Sequence, residues 1–146
     1  EQRQDPTFFR TEGAQIGRDG CRVPLPWTTD GPSFGFGAVE SHLPQPAWFA
    51  ADAVAAEESD AGSTLSLYRR ALALRHERQT AEQLEWVDTG RADVLRFRRP
   101  NGWEAFTNFG AEPYALDRVD AVLASSPSPI GVVPGETTVW LAPASV

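Results

Sequence analysis

The stretch GRDGCRVPLPW, residues 17–27, constrains the first third of the chain more than any other feature. Pro24 and Pro26 lack a backbone N–H, so the stretch fits neither the interior of a helix nor a central strand. The stretch also contains two glycines, two arginines and an aspartate, and it ends on a tryptophan. The stretch therefore predicts a stiff loop, and a loop of this kind can direct side chains at a ligand.

The loop lies within a longer irregular region that extends from residue 1 to about residue 48. Segments such as GPSFGFG (31–37) and LPQPAW (43–48) are typical of turns and irregular structure. An irregular run of this length is uncommon in a free-standing domain, so we expect an insertion or lid on a larger scaffold. The chain also contains no methionine, and we therefore expect either N-terminal processing or a longer parent protein.

Two segments of the first half predict helices. The alanine-rich residues 47–58 favour a short helix. The stronger prediction is a helix over residues 64–78, for which Asp60 or Ser63 can provide the N-cap. Its apolar side chains fall within one half of a helical wheel and are Leu65, Leu67, Tyr68, Ala71, Leu72 and Leu74. Because the sequence offers no partner for so wide an apolar half, we expect it to be exposed in this chain by itself.

After residue 80 the hydrophobic period shortens from that of a helix to that of a strand. In ADVLRFRRP, Leu95 and Phe97 alternate with Arg96 and Arg98. The following PNG (100–102) predicts a hairpin turn, with WEAFTNFG as the return strand. Further strand candidates are YALD (114–117), DAVLASS (120–126) and TTVWLAP (137–143). The second half therefore predicts a small antiparallel sheet or sandwich.

The aromatic side chains of this β region allow two interpretations. They can form the core of the sheet, or they can form an exposed platform that binds polysaccharide. The residues concerned are Trp86, Trp103, Phe106, Phe109 and Trp140.

Composition argues against several classes of partner. A net charge of −7 is unfavourable for binding nucleic acid. No apolar run approaches the ~18 residues of a membrane span, and the N-terminal residues have no signal-peptide core. Cys21 is the single cysteine and cannot form an internal disulfide, which is compatible with the cytoplasm. His42 and His76 lack metal-ligand spacing, and we expect neither a metal nor a cofactor.

The order of motifs resembles one enzyme family. The segments DPTFFRT, GRDGCRVPLPW, GFG, LPQPAW and STLSLYRRALALR follow one another as in the C-terminal part of family 13 glycoside hydrolases. The similarity is to the bacterial branch of α-glucosidases and oligo-1,6-glucosidases, and it extends over essentially the whole chain. The motif at 17–27 is its most specific part.

The resemblance implies a fold and an activity. Residues 1–80 would be the final loop and last helix of a (β/α)8 TIM barrel, an α/β fold, and residues 81–146 an all-β antiparallel sandwich called domain C. The parent enzyme would hydrolyse terminal α-glucosidic bonds of short oligosaccharides with retention, which requires two carboxyl groups flanking the scissile bond. The family's catalytic aspartate, glutamate and second aspartate have no counterpart here. We therefore assign no catalytic residue and expect this chain alone to be inactive.

The resemblance also implies one residue in the substrate site. Arg22 occupies the position of the arginine that closes the bottom of the glucose pocket, where it pairs with an aspartate from early in the barrel, outside this chain. A planar guanidinium can hold a carboxylate and sugar hydroxyls together, which lysine cannot. Asp19 and Trp27 are weaker candidates. Asp19 can instead bond the backbone two residues on, and Trp27 can either stack on a sugar or pack within the loop.

Two alternatives to the α-glucosidase remain. One is a non-catalytic carbohydrate-binding or structural β-module, against which the missing methionine and the half-apolar helix argue. The other is a family 13 transglycosylase that handles sucrose or trehalose. The motif at 17–27 favours the glucosidase, but it is also compatible with an enzyme that transfers the glycosyl group to a sugar. The oligomeric state and the preference between α-1,4 and α-1,6 linkages are not predicted by any motif.

Overall fold

The computed structural model describes residues 3–78, 82–116 and 121–143. The chain divides into two units, Glu1–Leu67 and Tyr68–Val146, and the division falls within helix α3, Thr64–Arg78. The boundary predicted between residues 80 and 81 lies outside the described residues.

The first unit contains short helical elements joined by irregular backbone. These are α1 (Pro6–Arg10), 3-10 turns at Asp19–Cys21, Pro32–Gly35 and Ala47–Ala50, and α2 (Val54–Ser59). Helix α1 was not predicted from the sequence, although Asp5 supplies its N-cap and proline its first residue.

The prediction of one helix over residues 47–58 is wrong. Between the last 3-10 turn and α2, Ala53 is extended and fully buried. The backbone N–H groups of Val54 and Ala55 donate to the carbonyls of Pro26 and Trp27 instead of continuing a helix. Tertiary hydrogen bonding therefore overrides the helix propensity of the alanines.

Helix α3 agrees with its prediction in both extent and cap. Ser63 Oγ accepts the N–H of Ser66 at 3.1 Å, which confirms Ser63 as a capping residue. No residue of α3 is buried, and Tyr68 and Leu72 are 63% and 57% exposed. Leu65 is only partly buried. Leu67, Ala71 and Leu74 are partly buried as well, so the expected exposure is confirmed for Tyr68 and Leu72 only.

In the described part of the second unit there are seven strands, and their pairings are all antiparallel. The strands are β1 (Glu85–Trp86), β2 (Val94–Arg98), β3 (Glu104–Asn108), β4 (Tyr114–Ala115), β5 (Ala121–Ala124), β6 (Val132–Val133) and β7 (Thr137–Leu141). One sheet has the order β1-β2-β3-β7-β5, and β4 pairs with β6 in the other. Strands β1 and β6, of two residues each, were not predicted. Of the predicted strand ends, Asp117 and Asp120 lie outside the described residues.

The predicted hairpin joins β2 and β3. Gly102 at its turn has φ +82°, a conformation that favours glycine. Arg98 and Glu104 are the first cross-strand pair after the turn. The hairpin at PNG is thereby confirmed.

One core is shared by both sheets. Its buried members are Val94, Phe106, Leu116, Val133, Val139 and Leu141, and Tyr114 and Ala124 pack against it. The antiparallel β part of the predicted fold is therefore observed. The aromatic residues for which a core or a binding platform was predicted do not share one environment. Trp103 and Phe106 are buried, whereas Trp86 and Phe109 are exposed.

Candidate functional site

A buried carboxylate, Asp5, joins the N-terminal residues to the motif at 17–27. Its Oδ1 accepts the N–H of Thr7 at 2.8 Å and thereby caps α1. Its Oδ2 accepts the N–H of Arg18 at 2.8 Å and Nη1 of Arg22 at 3.3 Å. These backbone hydrogen bonds, from Thr7 first and then Arg18, lower the pKa of Asp5 to about 2, with a smaller contribution from the charge of Arg22. The carboxylate is therefore ionised at any physiological pH.

Arg22 follows the 3-10 turn at Asp19–Cys21, and its N–H donates to the carbonyl of Asp19 at 2.9 Å. The Arg22 side chain is 52% exposed, whereas that of its partner Asp5 is 5% exposed. The resemblance implies that Arg22 also pairs with an aspartate outside this chain, and this stays a prediction. Within the chain, Arg22 pairs with Asp5, seventeen residues earlier.

Asp19 also binds the N-terminal residues. Its Oδ2 accepts the N–H groups of Gln4 at 2.7 Å and Asp5 at 3.0 Å. The expected bond to the backbone two residues on is not the one observed. Asp19 thus fastens Gln4 and Asp5 to the loop, and Asp5 in return fastens Arg18 and Arg22.

Gly17 permits this close approach of the two segments. It has φ +80°, and a Cβ at this position would lie 2.7 Å from Cβ and Cγ of Asp5. The glycine that begins the motif is therefore required both by its own conformation and by the position of Asp5.

Trp27, at the other end of the motif, is held by a separate set of contacts. Its N–H donates to the carbonyl of Phe34 at 2.8 Å, and its carbonyl accepts the N–H of Ala55 at 3.0 Å. The side chain is 51% exposed. The structure thus fixes the backbone of Trp27 and leaves half of the indole accessible.

The arrangement is suited to recognising a sugar. A guanidinium that is half exposed and already oriented by a carboxylate can donate its other N–H groups to hydroxyls. An accessible indole can cover the apolar face of a pyranose. Sequence reasoning did not single out Asp5, although it begins the segment DPTFFRT of the resemblance and precedes a proline, as is typical of a helix start.

Neither a metal site nor a membrane-spanning helix occurs among the described residues. Within residues 3–78, 82–116 and 121–143, no group of three histidine, cysteine, aspartate or glutamate side chains is placed to hold a metal ion. No helix among the same residues is long and apolar enough to cross a membrane.

The chain is similar to carbohydrate-active enzymes of known type. No family model matches it. It is 37% identical over 106 residues to a probable alpha-glucosidase of Rhizobium meliloti (strain 1021), which is 71% of this chain and 19% of the relative. The crystal structure of an alpha-glucosyl transfer enzyme matches with a TM-score of 0.72 and 30% identity, over 96% of this chain and 29% of that one.

A trehalulose synthase has the same fold over 92% of this chain and 28% of its own, with a TM-score of 0.69 and 22% identity. The chain therefore spans about a fifth of the curated relative and under a third of each of these solved structures. The chain is a relative of the family 13 glycoside hydrolases, the α-amylase family, and corresponds to a C-terminal portion that is between about a fifth and a third of such an enzyme.

Proposed function

We propose that this chain is part of an α-glucosidase that hydrolyses terminal α-glucosidic bonds of short oligosaccharides with retention. The observation that carries the proposal is the Asp5–Arg22 pair, because it presents an oriented, half-exposed guanidinium on the motif at 17–27. The identity of 37% to a probable alpha-glucosidase supports the same choice.

In this proposal Arg22 closes the bottom of the pocket for the terminal glucose. Asp5 holds one guanidinium nitrogen at 3.3 Å and stays ionised, so the arginine plane keeps its orientation. The other N–H groups would donate to vicinal hydroxyls of the sugar, for which a planar fork is better suited than an ammonium. A closed pocket of this kind admits chain ends only. Asp19 then acts through the loop backbone.

The domain assignment belongs to the proposal as well. Residues 1–80 would form the final loop and last helix of a (β/α)8 barrel, and residues 81–146 the β domain that steadies it. The apolar half of α3 supports this assignment, since none of its residues is fully buried and it is suited to packing on further helices or strands. The catalytic carboxylates would come from the rest of the barrel, in a cytoplasmic enzyme, and the chain alone would be inactive.

Transfer of glucose is the second candidate function. The alpha-glucosyl transfer enzyme is 30% identical over nearly the whole chain. A structure of a related synthase mutant contains the substrate sucrose, and another contains isomaltulose. An enzyme of the same fold that passes glucose to a sugar acceptor would use the same pocket arginine. The two functions differ in the acceptor, which is water in one case and a sugar in the other.

The test is an assay of the full-length protein on maltose, isomaltose and sucrose, followed by ¹H NMR of the anomeric protons. The proposal predicts that α-glucose appears first and then mutarotates. New disaccharides in place of free glucose would establish transfer instead. Initial release of β-glucose, or no consumption of any α-glucoside, would refute the proposal.

A further inference from the structure

A strained turn lies close to the motif at 17–27 in the fold. Ser33 has φ 49° and ψ 27°, and Phe34 has φ 47° and ψ 45°. Two consecutive non-glycine residues in the left-handed region are unfavourable, because Cβ approaches the backbone. Such conformations persist only where surrounding contacts impose them, and they are concentrated at functional sites. The hydrogen bonds around this turn therefore indicate its function.

Gln45 connects the turn to the motif. Its Nε2 donates to the carbonyl of Pro24 at 3.0 Å and to the carbonyl of Ser33 at 3.2 Å. Only the amide NH2 group can supply two donors to two carbonyls, so the orientation of the amide follows from its partners. Ser33 is itself buried, and its hydroxyl donates to the carbonyl of Val39.

The left-handed turn directs one carbonyl at the backbone of Trp27. The oxygen of Phe34 accepts the N–H of Trp27 at 2.8 Å and that of Thr28 at 2.9 Å. On the other side, α2 donates the N–H of Ala55 to the carbonyl of Trp27. The backbone of Trp27 is thus held from both sides, while its indole is half exposed.

We propose that Gln45 and the Ser33–Phe34 turn are positioning residues that hold Trp27 as a fixed aromatic platform for a glucosyl ring of the substrate. The identity of this ligand rests on the proposed function, whereas the positioning of Trp27 does not. A fixed backbone limits the positions open to the indole, so less conformational freedom is lost when the apolar face of a pyranose stacks on it.

The test uses the full-length protein labelled with 5-fluorotryptophan, with the ¹⁹F resonance of Trp27 assigned from Trp27→Phe. We expect this resonance to shift when maltose is added. Gln45→Met removes both donors at similar side-chain length. It should displace or broaden the Trp27 resonance and raise KM for maltose about tenfold, with kcat changed less than about twofold. Gln15→Met, at an exposed position, is the matched control and should change neither quantity.

A second variant acts on the turn itself. Gly35 has φ +76°, and a Cβ there would lie 2.6 Å from Oγ1 of Thr28, so Gly35→Ala should reproduce the effect of Gln45→Met. Gly37→Ala is its control, because nothing lies within 4 Å of a Cβ at Gly37. The resonances of Trp103 and Trp140 report whether each variant is folded in the β region.

The outcomes separate the two proposals. A Trp27 resonance that is unchanged in both Gln45→Met and Gly35→Ala would overturn the positioning role. A resonance that responds to both variants but not to maltose would overturn the platform. A protein that consumes no α-glucoside would refute the proposed function, and the Trp27 resonance in the two variants would still decide the positioning role.

Discussion

Asp5 and Arg22 form an ion pair in which the carboxylate is buried and the guanidinium is half exposed, with 3.3 Å between Oδ2 and Nη1. Water screens the arginine, so the attraction between the charges contributes little to stability. The backbone N–H groups of Thr7 and Arg18 hold the carboxylate more firmly than the arginine does. The pair is therefore better understood as orienting Arg22 than as stabilising the fold.

The first prediction concerns the acid stability that Asp5 confers. Its pKa of about 2 in the folded chain lies below the ~3.9 of an unfolded aspartate. The stability it contributes is therefore fully present above pH ~4 and is lost as the pH falls towards 2. Asp5→Asn should lower the midpoint of urea unfolding at pH 7 and flatten its decline below pH ~4.

Asp52→Asn is the control for that measurement, because Asp52 is exposed. It should leave the pH dependence of the unfolding midpoint unchanged. Curves for Asp5→Asn and the wild type that run parallel down to pH ~2 would contradict the assigned hydrogen bonds of Asp5.

The second prediction concerns the buried carboxylate of Glu104 in β3. Its side chain is 2% exposed and accepts Nε of Arg96 at 2.6 Å and Nε of Arg98 at 3.0 Å. Burial opposes ionisation, but the hydrogen bonds from the two arginines outweigh it and lower the pKa of Glu104. Glu104→Gln leaves two cations with a neutral partner and should destabilise the fold by about 3 kcal/mol.

The matched control is Glu85→Gln, since Glu85 is exposed and faces Arg98 from the other neighbouring strand. This variant should lower the free energy of unfolding by less than about 1 kcal/mol, measured with urea at pH 7. Because the pKa of Glu104 is lowered, its stabilising effect is present above the pKa of an unfolded glutamate and is lost as the pH falls below it. Equal unfolding midpoints for the two variants would show that Glu104 is not a buried anion.

The third prediction concerns Asn108, a fully buried amide at the end of β3. Its Nδ2 donates to the carbonyls of Glu112, Val133 and Pro134 at 2.9, 3.2 and 3.1 Å. Asn108→Asp places a carboxylate, which has no N–H to donate, beside these oxygens. It should lower the free energy of unfolding by about 3 kcal/mol. Asn101→Asp, at a more accessible turn position, should cost about 1 kcal/mol. Thermal unfolding of both variants measures the difference, and similar losses would contradict the buried amide network.

The features that the sequence predicted correctly are those decided by neighbouring residues. Helix α3 follows from its periodicity and from Ser63, and the β2–β3 hairpin follows from alternation and Gly102. Alternation does not say which face of a strand is buried. In β2, Arg96 and Arg98 lie on the same face of the sheet as the core residue Phe106. This face can be partly buried because Glu104 neutralises both guanidinium groups.

The features that were missed depend on contacts between distant residues. Gln45 and Pro24 are separated by 21 positions, and Asp5 and Arg22 by 17. No short sequence pattern predicts either contact. The motif at 17–27 indicated a loop that directs side chains, and Arg22 was identified by the resemblance, but only the fold shows which residues hold that loop.

Arg22→Lys in the full-length enzyme is the most direct test of the account, because it keeps the charge and removes the planar fork. We predict a fall in kcat/KM for maltose of about 100-fold or more, or ~3 kcal/mol, from the loss of two charged hydrogen bonds to the sugar. The melting temperature should change by less than about 3 °C. Arg18→Lys, in the same loop, should retain activity. A kcat/KM for Arg22→Lys within about threefold of the wild type would contradict the claim that Arg22 binds the terminal glucose.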